Sequence, residues 1–354
     1  FMINDSLSYK AGDLFIQSDL AKVLETIAEK GRAGFYEGEI AKKIVKDLQS
    51  NGSVLNLKDL KNYKALESKI LTGRYNDKNI HSLFLPSFGA ITIQILQILD
   101  HLKIPKNENE WSIQHGKVTE IAYQFRELQT DSVKLSEIIS YDKAEQLANK
   151  LFNKDEKTSL ITNKIPISWT SVDGHTTHLT TADNWGNVVA LTQTIGPTMG
   201  SKVASKGLGF LYAVTLGGYL GNYKPGDRAN SHISPTLIEK NGKILLALGA
   251  AGGSRIIPAV TQVTDRYFRQ KQSLENALKS PRVYPYNDSL WVENHTGIEK
   301  LNASFVDKKI PIKYIDEIAR FGRVHAIALE DLKWVGSADP DWEGTTEYFP
   351  ANED

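Results

Sequence analysis

The chain has 354 residues, 41% of them hydrophobic, with Lys plus Arg and Asp plus Glu balanced at 42 each. That length is enough to bury the core of one large domain or two closely joined ones, and a net charge of zero provides no field to steer a nucleic acid or an anionic membrane. The absence of cysteine excludes disulfides, thiolate metal sites and a Cys nucleophile, and leaves the compartment open.

No apolar run approaches the ~20 residues a membrane helix needs, so no membrane span is expected. The start, Phe1 to Ser6, lacks the basic-then-apolar pattern of an export signal. From Ser18 to about Lys150 the periodicity is mostly helical. Leu20, Val23, Leu24, Ile27 and Ala28 form one apolar stripe, and Gly31 sits where that helix would stop. Further helices are expected over Gly38 to Leu48, Ala90 to Leu102, Lys117 to Leu128 and Asp142 to Phe152, with 85–90 a loop feeding the second of these. Past Ile165 the pattern turns to short β-rich runs. Thr177 to Ala182 and Val188 to Ile195 flank an Asp183–Asn187 turn, and Thr236 to Glu239 and Lys243 to Leu248 flank Asn241-Gly242, a strong hairpin signal. Two hairpins imply an antiparallel sheet. Gly249 to Arg255 then leads into a helix over Ile256 to Phe268, with Ser254 placed to be its N-cap, so helices face the sheet. Gly207 to Gly221 reads as a structured Gly-rich loop in which Tyr212 and Tyr219 could line a site. The tail adds a short helix ending at Ser280-Pro281 and strands near Leu290 to Glu293 and Val324 to Leu329.

Two segments carry chemistry. The first is Thr176-Thr177-His178, at the head of a Thr-rich strand. A threonine hydroxyl is a poor nucleophile at neutral pH unless a base takes its proton, and the chain's own α-amine can do so when threonine is residue one. Thr176 would gain that amine only if the His175–Thr176 bond were cut. Taken alone, the segment reads first as a β-branched strand start. The second segment is 249–255, where glycines between a strand and a helix can aim adjacent N–H groups at a developing oxyanion, Gly252 and Gly253 being the donors. It is not a phosphate loop, because the lysine of that motif is missing. His175 and His178 fall on opposite faces of a strand with no third ligand in view, so neither a metal nor a cofactor is expected.

In combination these segments resemble the γ-glutamyltransferase family: Thr-Thr-His at 176–178, Asp183 to Asn187, Ser-Pro-Thr at 234–236 and Gly-Gly-Ser-Arg-Ile at 252–256. Upstream, Gly12-Asp13, Gln17 to Ala21, Phe35 to Gly38, Asp59 to Tyr63 and Pro86 to Gly89 are similar to the later part of that family's large subunit, and Ser337 to Pro340 to its closing segment. The resemblance covers nearly the whole chain.

It implies an α+β N-terminal-nucleophile hydrolase fold, an αββα sandwich of antiparallel sheets between helical layers, made as one chain that cleaves itself. The portions would be 1–175, α-rich, and 176–354, β-rich and beginning at the nucleophile, the two remaining associated as one intertwined unit. Thr176 would be nucleophile and base, Thr194 would orient it, and Gly252 and Gly253 would form the oxyanion hole. Where the family holds the glutamyl head group, this chain has Gly196, Thr215, Gly217 or Gly218, and Ser231-His232, and the family's first part, with its head-group arginine, would be missing. The resemblance thus implies a small-molecule amide or peptide substrate whose acyl group differs from γ-glutamyl, and His232 could touch an acyl carboxylate or act as general acid. A non-catalytic relative, kept as a binding or assembly protein, is the alternative. Family members are usually exported, which implies a periplasmic or extracellular setting.

Overall fold

The computed structural model describes residues 7–130, 132–152, 174–197, 199–215, 223–294, 311–317, 320–341 and 344–349. The chain forms two compact units, one of 1–67 with 199–213 and one of 68–198 with 214–354.

In the first unit, α1 (Ser18–Tyr36), α2 (Gly38–Ser50) and α3 (Leu57–Asn62) pack around Val23, Ile40, Ile44 and Leu208. The predicted stop at Gly31 is a break rather than an end: Gly31 takes φ 55°, ψ −143° and helical turns resume to Tyr36. Asn56 caps α3 by accepting from the Lys58 and Asp59 amides, and Asp59 accepts from the Asn56 amide in return, a capping box. The Tyr212 hydroxyl donates to Asp47 Oδ2 at 2.8 Å, which gives Tyr212 a structural place here. Tyr219 lies outside the described residues.

The second unit opens on a hairpin, β1 (Ile70–Tyr75) and β2 (Lys78–Leu83), which the helical reading of this region missed. Its signal is short: Leu71, Gly73 and Tyr75 of β1 point inward, and Ile70, Thr72 and Arg74 alternate with them on the exposed side. Then come α4 (Gly89–Asp100), α5 (Glu108–Tyr123), α6 (Ser132–Ile138) and α7 (Tyr141–Phe152). Helix α5 begins nine residues before the expected Lys117 because its first half buries polar groups rather than an apolar stripe. Trp111 Nε1 and His115 Nε2 both donate to Asp265 Oδ2, at 2.9 and 3.0 Å, and Arg269 Nη1 donates to the other oxygen at 2.6 Å. Burial alone would raise the Asp265 carboxyl, but these donors hold it down at about 2, while burial keeps His115 neutral.

After these helices come the strands and helices β3 (Gly174–Ala182), β4 (Val188–Pro197), β5 (Thr236–Lys240), β6 (Lys243–Ala251), α8 (Ile256–Phe268), α9 (Leu274–Lys279), β7 (Val283–Tyr286), β8 (Ser289–Glu293), β9 (Ile312–Ile315), β10 (Arg323–Glu330) and β11 (Lys333–Ala338). They form a six-stranded antiparallel sheet in the order β1-β2-β5-β6-β10-β11, the β3–β4 hairpin, and a three-stranded sheet β7-β8-β9. The two predicted hairpins therefore belong to different sheets. Ser254 does not cap α8. It sits inside a 3-10 turn, Gly253–Arg255, with its Oγ accepting from the Tyr284 hydroxyl at 3.0 Å.

Period-two alternation divides the large sheet into two faces. Leu246, Leu248 and Ala250 of β6 and Val324, Ala326 and Ala328 of β10 join one core with Ile91, Ile95, Val118 and Val260 of α4, α5 and α8. Along the opposite face of β6 run Ala247, Gly249 and Ala251, and the β3–β4 hairpin packs against this strand. The fit is tight at one point. A Cβ on Gly249 would lie 2.4 Å from His178 Cε1, so the imidazole rests on bare backbone. We expect Gly249→Ala to lower stability by about 1–3 kcal/mol, the usual cost of overpacking, read as a fall in the urea midpoint. His178→Ala should remove most of that added cost in the double variant, and a simple sum of the two single effects would show that the clash is not the cause.

Candidate active site

Thr176 and Thr194 are directly paired across β3 and β4. Their side chains share the face that meets the large sheet, and Thr176 Oγ1 donates to Thr194 Oγ1 at 3.1 Å. The Gly196 amide donates to the same Thr194 oxygen, also at 3.1 Å. Just before Thr176 the ladder shifts register: Gly174 pairs with Pro197, so His175 stands opposite both Ile195 and Gly196. Gly196 accommodates the extra residue with φ 93°, a conformation that favours glycine. The bulge therefore lies opposite His175, and its glycine amide helps to fix the Thr194 hydroxyl.

Two residues on, His178 occupies the same face as Thr176. Its Nδ1 is 2.7 Å from Thr192 Oγ1, the ring is buried against Gly249, and its Nε2 has no hydrogen-bond partner among the described residues. Burial, reinforced by the neighbouring His325, pushes its pKa down to about 3, so the imidazole is neutral near pH 7. Sequence reasoning weighed His178 only as a metal ligand. The signal that it belongs with Thr176 was its spacing of two on a strand, and its seat on Gly249 could not be read from the sequence.

The turn after β6 approaches β3. Gly252 takes φ 134° and Gly253 φ 58°, and a Cβ on Gly252 would come within 2.9 Å of Gly322 Cα. Both dihedrals and packing thus require glycine at 252, and the turn leads directly into α8. Thr176, Thr177, His178, Gln193, Thr194, Ile195, Ala251, Arg323 and His325 line one cleft of about 500 Å³. Gly252 follows Ala251 in the chain, Gly196 follows Ile195, and the Val214 amide, one residue before Thr215, donates to the Ile195 carbonyl at 2.9 Å. Ser231 and His232 do not line this cleft. The Ser231 amide donates to the Pro86 carbonyl at 2.7 Å, and the buried His232 ring stacks on Phe88 at 5.7 Å. Burial, with Arg126 and Arg255 nearby, pushes the His232 pKa well down. Gly217 and Gly218 lie outside the described residues. Arg323 and His325 were not foreseen, because only the pairing of β10 with β6 brings them to Thr176.

The family model described as Gamma-glutamyltranspeptidase matches residues 1–349. The chain belongs to the gamma-glutamyltranspeptidase family. It is similar to the glutathione hydrolase proenzyme of Escherichia coli (strain K12), at 31% identity over 82% of this chain and 54% of the relative. It is also similar to the capsule biosynthesis protein CapD proenzyme of Bacillus anthracis, at 25% identity over 95% of this chain and 62% of the relative. The chain thus spans little more than half the length of these relatives. Its fold is that of the cephalosporin acylase from Bacillus halodurans, with a TM-score of 0.81 over 97% of this chain and 66% of that one at 20% identity. The helix-flanked antiparallel sheet is therefore the α+β, N-terminal-nucleophile hydrolase fold, in a chain of the gamma-glutamyltranspeptidase family.

Among the described residues, no group of three or more metal-ligating side chains is gathered at this or any other place, and no helix is long and apolar enough to cross a membrane. The buried imidazole has a consequence for stability. A histidine whose pKa is lowered on folding is neutral in the folded chain and protonates in the unfolded one, so the unfolded state binds more protons. Its stabilising contribution is complete above the unfolded pKa, near 6.5, and is lost as pH falls from there towards about 3, at up to roughly 1.4 kcal/mol per pH unit. Denaturant unfolding from pH 7 down to 5 should therefore show a steeper loss in the parent chain than in His178→Gln. Equal slopes would mean that His178 is accessible to protons in the folded chain.

Proposed function

We propose that this chain is a self-processing amide hydrolase or acyltransferase whose nucleophile is Thr176. The Thr176 hydroxyl attacks the His175 carbonyl, the amide becomes an ester as the Thr176 nitrogen leaves as a free amine, and water opens the ester to release the His175 carboxylate. The freed α-amine, which titrates near pH ~8, then serves as base while the hydroxyl attacks a substrate amide. Thr194 orients the hydroxyl, and the Gly252 and Gly253 amides stabilise the oxyanion. The observation that carries this reading is the 3.1 Å bond from Thr176 Oγ1 to Thr194 Oγ1, made beside a register shift that falls on the residue to be cut from Thr176.

The sheet order supports the association of the two pieces. Strands β1 and β2 precede the cut, while β5, β6, β10 and β11 follow it. The β2–β5 pairing, Asn79 with Glu239 to Ser82 with Thr236, would therefore hold both pieces in one sheet. The acyl group we propose is not γ-glutamyl. Gly196 and Thr215 stand where the family contacts the glutamyl head group, and they offer no charge to an ammonium or carboxylate.

Intact-mass measurement after expression should reveal pieces of 175 and 179 residues from the 39.4 kDa chain, unresolved on a gel but distinct by mass. Thr176→Ala should stay whole, and Thr194→Ala should cleave about tenfold more slowly, the cost of one orienting hydrogen bond. A parent chain that remains full-length through long incubation would discard self-processing and favour a non-catalytic binding role. Robust turnover of a chromogenic γ-glutamyl amide, above that of other acyl amides, would overturn the altered specificity.

A further inference from the structure

The cleft that holds Thr176 and Thr194 is also lined by Arg323 at the start of β10. Arg323 pairs with Ala251, the residue before Gly252, and alternation along β10 turns its side chain to the hairpin side of the sheet while Val324 enters the core. Its backbone is fixed from both directions. A Cβ on Gly322 would lie 2.5 Å from the Arg255 carbonyl oxygen, which presses that residue onto the turn. On the other side the Val324 amide donates to Asp339 Oδ2 at 2.8 Å. Asp339 is itself held by Arg282, so the Ser337–Pro340 motif anchors the strand that presents Arg323.

The charge of the cleft follows from its lining. His178 and His325 are both kept neutral by burial, and no carboxylate is among the described lining residues. Partial burial of Arg323 is opposed by Asp339 and Asp341, and a guanidinium stays protonated in any case. Among the described residues of the lining, Arg323 is therefore the one cationic side chain. With five donors in a fixed fork, it can keep an aspartate neighbour and still take a carboxylate in a bidentate pair.

Building on Thr176 as nucleophile, we infer that Arg323 determines acyl specificity by binding a carboxylate at the far end of the acyl group, so that the donors are monoamides of dicarboxylic acids. An α-ammonium on that group, as in a γ-glutamyl donor, would find no anionic partner among the described lining residues.

The test compares succinyl, glutaryl and adipyl p-nitroanilides with analogues whose terminal carboxylate is a carboxamide. The parent chain should prefer the carboxylate of at least one length by about 10- to 100-fold in kcat/KM, the range for a charged hydrogen bond. Arg323→Gln should collapse that ratio, chiefly through KM for the acid, and Arg323→Lys should restore part of it. Because the readout is a ratio on one preparation, a folding defect does not imitate it. Absence of the preference in the parent, or its survival in Arg323→Gln, overturns the inference. Glutarate and glutaramide binding to the Thr176→Ala chain, by calorimetry, separates this inference from the chemistry at Thr176. Arg323-dependent binding of glutarate alone upholds the carboxylate site even if no anilide turns over, and equal or absent binding of both refutes it.

Discussion

The approach of the β3–β4 hairpin to β6 is the constraint on which the site depends. A Val or Leu at position 249 would hold the hairpin off by a side chain's thickness. That stretch of β6 is instead Ala247, Gly249 and Ala251, and the missing Cβ of Gly249 is the space that His178 fills. Thr176 lies two residues earlier on the same face, so seating His178 also sets the height of Thr176 above the sheet. The lateral position is set separately, by cross-strand pairing with Thr194 and by the Thr192–His178 hydrogen bond. Apolar contact contributes little to this seat, which is built from a glycine, two threonines and a neutral imidazole. Such polar contacts are individually worth about 1 kcal/mol, but they are directional, and direction is what a reacting hydroxyl requires.

Much of the fold was legible because it follows strong local signals. Asn241-Gly242 marked the β5–β6 hairpin, Asp183 to Asn187 the β3–β4 turn, and the apolar spacing of Ile256 to Phe268 gave α8 to the residue. The failures share one cause, which is that the deciding contacts are tertiary. Strand β1 buries Leu71, Gly73 and Tyr75, and Gly73 is there because a Cβ would strike Ile93 of α4, a reason that no window of sequence contains. The first half of α5 buries Trp111 and His115 through Asp265, more than a hundred residues away, so its polar residues imitate a loop. Motifs that served as family markers also prove to have structural work. Ser234 Oγ lies 2.6 Å from Thr92 Oγ1, and the Phe88 amide donates to the Ile233 carbonyl at 3.2 Å, joining the start of α4 to the approach to β5.

The same distinction applies to the site. Residues that lie on one hairpin or one turn, namely Thr176, Thr194, Gly252 and Gly253, could be nominated from local pattern and resemblance. Residues delivered by a non-local strand pairing could not. Arg323 follows a glycine in an unremarkable stretch, and its relevance depends on β10 lying beside β6 in a register that sets it against Ala251. Ser231 and His232 show the converse. Matching position by position placed them at the substrate, while the structure puts His232 into a stack on Phe88, with the Arg126 guanidinium over the same ring at 4.5 Å. Position in an alignment transfers a backbone location, but the direction of a side chain depends on what surrounds it.

Chain order and compact units divide this molecule differently, and the difference bears on how a cut could leave a site intact. The bond before Thr176 separates β1, β2 and the helices α4 to α7 from every later strand. Yet β2 is hydrogen-bonded to β5, and Ile91, Ile95 and Val118 share a core with Leu246, Val260 and Val324. A break at that bond would therefore open no core, and in the β3–β4 ladder it would part only the Gly174–Pro197 pair from the rest. It frees the chain only at the register shift, where pairing is already interrupted, while Thr176 itself stays paired with Thr194. The contacts around the hydroxyl, to Thr194 and Gly196, lie wholly after that bond, so under the proposed self-processing one threonine would face first its own carbonyl and then a substrate's from the same position.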